Sequence, residues 1–72
     1  MTTKDLLSRN LKCHLAANTA RDRRPCNAYQ LATDAQVMPA VVYRILAGKQ
    51  GARAETIRKL AQALGGVDLL AD

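Results

Sequence analysis

The chain has 72 residues, 49% of them apolar and 3% aromatic, and its 11 Lys and Arg against 6 Asp and Glu give a formal charge of +5. A chain this short forms a single domain over residues 1–72 with one small core, which leaves little material to enclose an active site. Because Ala and Leu are abundant and aromatic residues are scarce, an all-α class is predicted, and the positive charge favours a polyanionic partner, nucleic acid before membrane.

The first predicted helix begins with Thr2 as its N-cap and has Asp5 in its third position. Its apolar face is formed by leucines that recur every four residues: Leu7, Leu11 and Leu15. This pattern predicts an amphipathic helix that ends near residues 17–18. Residues 19–26 carry a proline and several charges without an apolar period, so a connection is predicted there.

Residues 27–48 predict two short helices that cross at a tight turn. Asn27 is placed to cap the first of them, and Gln30 can reach back in a variant of the capping box. The apolar faces come from two sets at helical spacing: Leu31, Ala32 and Ala35, then Val42, Ile45 and Leu46. Pro39 suits the first position of the third helix, and Gly48 ends that helix. The segment is therefore predicted to be a helix-turn-helix.

A fourth helix is predicted from apolar residues that again follow helical spacing: Ile57, Leu60, Ala61 and Leu64. Gly65 and Gly66 are expected to end it. The remaining residues 67–72 are expected to add about one further turn, capped by Asp68. The predicted architecture is a bundle of four or five helices.

Several short motifs follow one another in a fixed order along residues 9–70. They are Asn-Leu-Lys at 10–12, Leu-Ala at 31–32, Ala35, Val37, Val42, Arg-Ile at 44–45, Gly48 and ETIRKLAQALG at 55–65. In this order the chain resembles the lambda-repressor-like, or Cro and C1 type, helix-turn-helix domains of phage and bacterial regulators. The resemblance implies a compact helical bundle that binds operator DNA as a dimer and represses transcription. Both a small Cro-like protein and the DNA-binding part of a longer repressor fit this pattern.

By position, the resemblance also implies which residues meet DNA. Base contacts fall on four residues of the third helix: Pro39, Ala40, Tyr43 and Arg44. Phosphate contacts fall on Ala28, Lys49 and Arg53, to which we add Gln50 in the loop and Asn10 and Lys12 in the first helix. Arg44 is the strongest candidate, because a guanidinium can bind guanine O6 and N7 together. Tyr43 can equally bind DNA or shield the junction between the helices.

The chain departs from the family's pattern at three positions that matter for DNA binding. Gln36 stands where the family usually has Gly, and a positive φ there would be strained. Met38 replaces the usual Ser or Thr and cannot cap the third helix, which costs roughly 1 kcal/mol. Ala28 offers only its backbone N–H where a glutamine is common. The basic linker at 19–26 is also longer, and its arginines are either solvated or add salt-dependent affinity.

The sequence gives little indication of a disulfide, a metal site or a catalytic site. Cys13 and Cys26 do not match a disulfide or zinc pattern and are expected to be reduced and semi-buried, with His14 partly buried beside them. No metal, cofactor or small-molecule substrate is expected. Ser8 and His14 are the only residues of their types, and no phosphate-binding glycine loop is present, so an enzyme is not expected.

A protein-interaction module, antitoxin-like or adaptor-like, is the alternative function. The apolar residues at 38–40 beside Tyr43 would suit a polypeptide partner. No apolar run, signal peptide or lipidation motif points to a membrane, so a soluble cytoplasmic protein is expected.

Overall fold

The computed structural model describes residues 2–71, and this range contains four helices and no strand. The helices are α1 (Thr3–Ala20), α2 (Ala28–Ala35), α3 (Pro39–Leu46) and α4 (Ala54–Ala63). The predicted all-α class is confirmed. Helix α3 packs against both α1 and α2, and α2 also packs against α4. None of these helices is long and apolar enough to cross a membrane.

The centre of the core is made by side chains that have no solvent-exposed surface. They are Leu7, Leu11, Leu31, Ala32, Val42, Ile45 and Leu60. Each of them belongs to an apolar stripe that the spacing of the sequence predicts. Burial of these stripes against one another is the main stabilising contribution to the fold, because apolar area contributes about 25 cal/mol for each Å² removed from water.

A hydrogen bond fixes the C-terminal end of α3 against α1. The hydroxyl of Ser8, buried within α1, donates to the backbone carbonyl of Leu46 over 2.8 Å. Leu46 is the last residue of α3, and carbonyls in the last turn of a helix have no partner within the helix. The bond therefore satisfies one such carbonyl and holds α3 in place relative to the rest of the bundle.

The C-terminal segment folds back onto α1 without forming the helical turn that the sequence predicts. Leu69 is 1% exposed and lies in the core. The side-chain amide of Asn10 donates to the carbonyls of Leu69 and Ala71, over 2.7 and 2.8 Å. Asp68 does not cap a helix there: its carboxylate accepts from the N–H of Leu70 in a local turn. The predicted turn is thus present at residues 69–70 but is not helical, and Asp72, the last residue of the predicted segment, lies outside the described residues.

Each of the four helices ends in a Schellman motif, in which two successive N–H groups donate to carbonyls three and five residues earlier. The residue in the left-handed conformation is Asp22, Gln36, Gly48 and Gly65 in turn, with φ between 55° and 96°. The predicted stops at Gly48 and Gly65 are confirmed. Helix α1 runs to Ala20, beyond its predicted end. Its left-handed residue is Asp22, so the sequence contains no glycine that would mark this end.

Gln36 has φ 59° and ψ 43°, the left-handed conformation that is strained for a residue other than glycine. Its N–H and that of Val37 donate to the carbonyls of Thr33 and Ala32 in the last turn of α2. We expect Gln36→Gly to raise the free energy of unfolding by about 0.5 kcal/mol, since relief of left-handed strain exceeds the added entropy of the unfolded chain. Urea denaturation of both proteins measures this change.

The matched control is Gln62→Gly, which makes the same substitution at an exposed position inside α4. There, glycine is expected to lower the stability by roughly 0.5 to 1 kcal/mol. Equal losses in the two variants would contradict the role assigned to the conformation of Gln36.

The start of α2 differs in detail from the predicted capping box. Asn27 caps the helix as predicted, and its side chain accepts from the N–H of Gln30 over 2.8 Å. The Gln30 side chain, however, accepts from the N–H and the thiol of Cys26 rather than from the N–H of Asn27. Cys26 is half-buried, as expected, whereas Cys13 is exposed on α1, so its predicted burial was wrong. His14 is partly buried, as predicted.

The linker between α1 and α2 is held to the helices on both sides. The guanidinium Nε of Arg24 donates to both carboxylate oxygens of Asp34 in α2, over 3.0 and 3.1 Å. At the other end, the side chain of Asn18 donates to the carbonyl of Pro25, whose ring is buried. Arg24 is therefore paired with α2 although its side chain is 56% exposed, and Arg21 and Arg23 are also solvent-exposed.

Candidate nucleic-acid interface

The outward face of α3 is set by the residues that α3 buries. Val42 and Ile45 are fully buried in the core. With 3.6 residues per turn, the opposite side of the helix carries Ala40, Tyr43 and Arg44, and all three residues are solvent-exposed. Three of the predicted base-contact residues therefore lie together on one exposed face.

Pro39, the fourth predicted base-contact residue, lies at the edge of this face and is half-buried. It is the first residue of α3, as its fixed φ favours. Ala47, which the sequence reasoning missed, is exposed and follows Ala40 by about two turns on the same side. The helical period would have found Ala47, had the outward face been followed to the last residue of the predicted helix.

Arg44 and Tyr43 are the hydrogen-bonding side chains of the outward face. Tyr43 is 55% exposed. Arg44 lies in the last turn of α3, where the helix dipole favours a cation, and no ion pair within residues 2–71 occupies its guanidinium. Both side chains are therefore available to an external partner with acceptor atoms.

Positive charge is concentrated around α3 because acidic residues are excluded from this part of the chain. Residues 35–54 contain no Asp or Glu, and their cations are Arg44, Lys49 and Arg53, all exposed. The nearest acidic residues in sequence are already paired: Asp34 with Arg24, and Glu55, more loosely, with Lys59 at 3.8 Å. In the described range, none of the three cations forms an ion pair, which favours a polyanion at this surface.

The first turns of α3 and α4 have no side-chain caps. Met38 precedes α3 and makes no capping hydrogen bond, as predicted from its chemistry. Arg53 is the N-cap residue of α4 and likewise makes none. Helix N-termini carry partial positive charge, so a cation at this position is unfavourable unless an anion lies nearby. Glu55 supplies one carboxylate in the first turn of α4, and a phosphate bound by Arg53 would add a second anion at the helix end.

The other predicted phosphate contacts have different surroundings. Lys12 and Lys49 are exposed, and Gln50 is half-buried in the loop after α3. Ala28 is 7% exposed and begins α2, so its backbone N–H is the group it can offer. Asn10 already donates both amide hydrogens to the C-terminal segment. We therefore leave Asn10 out of the proposed interface, because a phosphate contact would break these bonds.

Two large apolar side chains outside the predicted DNA contacts are exposed. Met38, which belongs to the apolar residues proposed for a polypeptide partner, is 70% exposed before α3. Tyr29, which the sequence reasoning missed, is 62% exposed in the first turn of α2. Tyr29 lies outside the apolar face of its helix, so the same spacing that predicts the core could have identified it.

Comparisons with protein-family models, with curated proteins and with solved structures give no match to this chain. Within the described residues, no three His, Cys, Asp or Glu side chains come together as a metal site would require. The choice among functions therefore depends on the exposed face of α3 and the charge around it.

Proposed function

We propose that this chain is a sequence-specific double-stranded DNA-binding regulator of transcription, in which α2 and α3 form a helix-turn-helix of the lambda-repressor type. The observation that carries the proposal is the exposed face of α3, with Arg44 and Tyr43, inside an acid-free segment of unpaired cations. Such a helix fits the major groove, whose width admits an α-helix.

In the proposed complex, different residues position the protein and read the bases. Arg44 donates two hydrogen bonds to O6 and N7 of a guanine, while Tyr43 contacts an adjacent base edge or phosphate. Lys49 and Arg53, in the loop after α3 and at the start of α4, bind the phosphates alongside. The phosphate contacts of Lys49 and Arg53 fix the register of the protein on the duplex and contribute affinity without sequence preference.

We further propose that the protein acts as a dimer on an inverted-repeat operator and represses transcription by covering a promoter. Two copies related by a two-fold axis would meet half-sites about one helical turn, roughly 34 Å, apart. We also propose that the protein acts in the cytoplasm of a bacterium or of a phage-infected cell, where a promoter is accessible.

Selection of bound duplexes from a random pool tests the proposal. The expected result is enrichment of an inverted repeat whose half-site contains an invariant guanine. A pool that shows no enrichment after repeated rounds at low salt would contradict sequence-specific DNA binding.

The phosphate contact of Arg53 predicts a change in salt dependence. Each phosphate neutralised by a cation contributes about −0.9 to the slope of log K against log salt concentration. Arg53→Ala is therefore expected to make this slope shallower by about 0.9. The matched control is Arg58→Ala in α4, which removes the same charge from another exposed position and is expected to leave the slope nearly unchanged. Fluorescence anisotropy over a salt series measures both, and equal slopes for the two variants would exclude the Arg53 contact.

A protein-interaction module is the second candidate, favoured by the exposed apolar side chains of Tyr29, Met38 and Tyr43. A stable complex with a polypeptide, together with no shift of any duplex at low salt, would favour this function over DNA binding. Enrichment of a duplex sequence favours the first proposal.

A further inference from the structure

The end of α3 that would enter the groove first is poor in hydrogen-bond donors. Met38 is 70% exposed and makes no side-chain hydrogen bond at the cap. Pro39 has no N–H, and the N–H of Val41 already donates to the carbonyl of Met38 over 3.0 Å. Ala40 is exposed and carries only a methyl group. The surface formed by residues 38–40, here named the apolar edge, therefore offers side chains that cannot hydrogen-bond to most base edges.

A base pair pressed against such a surface loses water from its polar edge without gaining a partner, which is unfavourable. In the major groove, the apolar group that a natural base presents is the C5-methyl of thymine. The same methyl is carried by 5-methylcytosine. A pyrimidine with a C5-methyl group is therefore the base that complements the apolar edge best.

The distance to Arg44 places this base relative to the guanine. Ala40 and Arg44 share the outward face and lie four residues apart, which is about 6 Å along the helix axis. Successive base pairs are separated by about 3.4 Å. The methyl-bearing pyrimidine is thus expected within about two base pairs of the guanine that Arg44 binds.

We propose that the apolar edge, Met38 to Ala40, selects a C5-methylated pyrimidine, thymine or 5-methylcytosine, within about two base pairs of the guanine read by Arg44. This inference rests on the proposed function. It makes the protein sensitive to cytosine methylation: at this position, a C·G pair binds more weakly than its methylated form.

Substitution of single bases in the selected duplex tests the inference without altering the protein. Each thymine is replaced in turn by deoxyuridine, which removes only the methyl group. Burial of one such group corresponds to about a fourfold change in Kd. We expect affinity to fall about fourfold when uracil replaces one or two of the thymines beside the guanine. When the same base pair is changed to C·G, methylation of its cytosine at C5 is expected to raise affinity by a similar factor.

Two protein variants connect the effect to the apolar edge. Met38→Ser supplies the missing cap and stabilises α3, whereas Ala40→Gly destabilises it. Both are expected to bring the ratio of Kd for the uracil and thymine duplexes towards one. Because the ratio is taken within each variant, and the two variants change stability in opposite directions, a general effect on folding cannot produce this result.

The outcomes separate the inference from the proposed function. If no duplex is enriched in the first place, the proposed function and the inference both fail. If a duplex is enriched but uracil has no effect near the guanine, only the inference is overturned. A uracil effect that persists in both variants also overturns it, because the methyl group then acts through the shape of the DNA.

Discussion

Arg44→Ala is expected to weaken binding to the selected duplex by roughly 10- to 100-fold, which corresponds to the 1–3 kcal/mol that a bidentate guanine contact contributes. The variant should also lose its preference for guanine at one base pair, because no other side chain on the outward face presents such a fork of donors. Affinity measured on the selected duplex and on four versions of that base pair reports both effects.

Arg58→Ala is the matched control, because it removes an identical charge from an exposed position on α4. It is expected to reduce affinity little and equally for all duplexes. Since Arg44 is exposed and unpaired in the described range, both variants should unfold within about 0.5 kcal/mol of the parent protein. If Arg44→Ala binds the four base pairs with the parent's preferences, α3 does not read DNA through this residue.

Leu69→Ala is expected to lower the free energy of unfolding by about 2–4 kcal/mol, the usual cost of truncating a fully buried leucine. Leu69 fills the core from a segment without helical structure and is held there through its carbonyl by Asn10. In a domain of this size such a loss is a large part of the total stability, which is on the order of 5 kcal/mol or somewhat more. Urea denaturation and thermal melting measure it.

The neighbouring substitution Leu70→Ala provides the control, because Leu70 is 41% exposed. It is expected to change stability by about 0.5 kcal/mol or less. Equal melting of the two variants would show that the C-terminal segment does not complete the core in solution.

The helices are well predicted because the apolar residues that define each buried face lie only three or four positions apart in the sequence. The spacing of the leucines in α1 and of Val42 and Ile45 in α3 specifies which face is buried, independently of the partner helix. Caps are equally local: Thr2 and Asn27 start their helices as predicted because each side chain accepts from an N–H three residues later.

Contacts between distant residues are the part that sequence patterns do not contain. The hydrogen bonds from Asn10 to the C-terminal segment join residues about sixty positions apart. No pattern in the sequence near residue 10 predicts these partners. The stop of α1 at Asp22 escapes prediction for another reason. Only glycine is a dependable signal of a left-handed residue, whereas packing elsewhere in the protein must hold an aspartate or a glutamine in that conformation.

Which residues of α3 belong to the candidate site can be predicted as well as the helix itself. Once Val42 and Ile45 are buried, the exposure of Ala40, Tyr43 and Arg44 follows from helical geometry alone. The structure adds what periodicity cannot supply, namely that Arg24 neutralises Asp34 while Arg44 has no such partner among the described residues. It also shows that the Asn10 amide donates to the carbonyls of Leu69 and Ala71, which is the reason Asn10 is left out of the proposed interface.

The most direct test of DNA reading by α3 is a titration of isotope-labelled protein with the selected duplex, followed by NMR of the backbone amides. The account predicts that the largest shifts occur at Ala40, Tyr43, Arg44 and Lys49, with smaller shifts around Arg53 at the start of α4 and little change at Arg58. Shifts concentrated on α4 or on the linker, with α3 unaffected at saturating duplex, would contradict it.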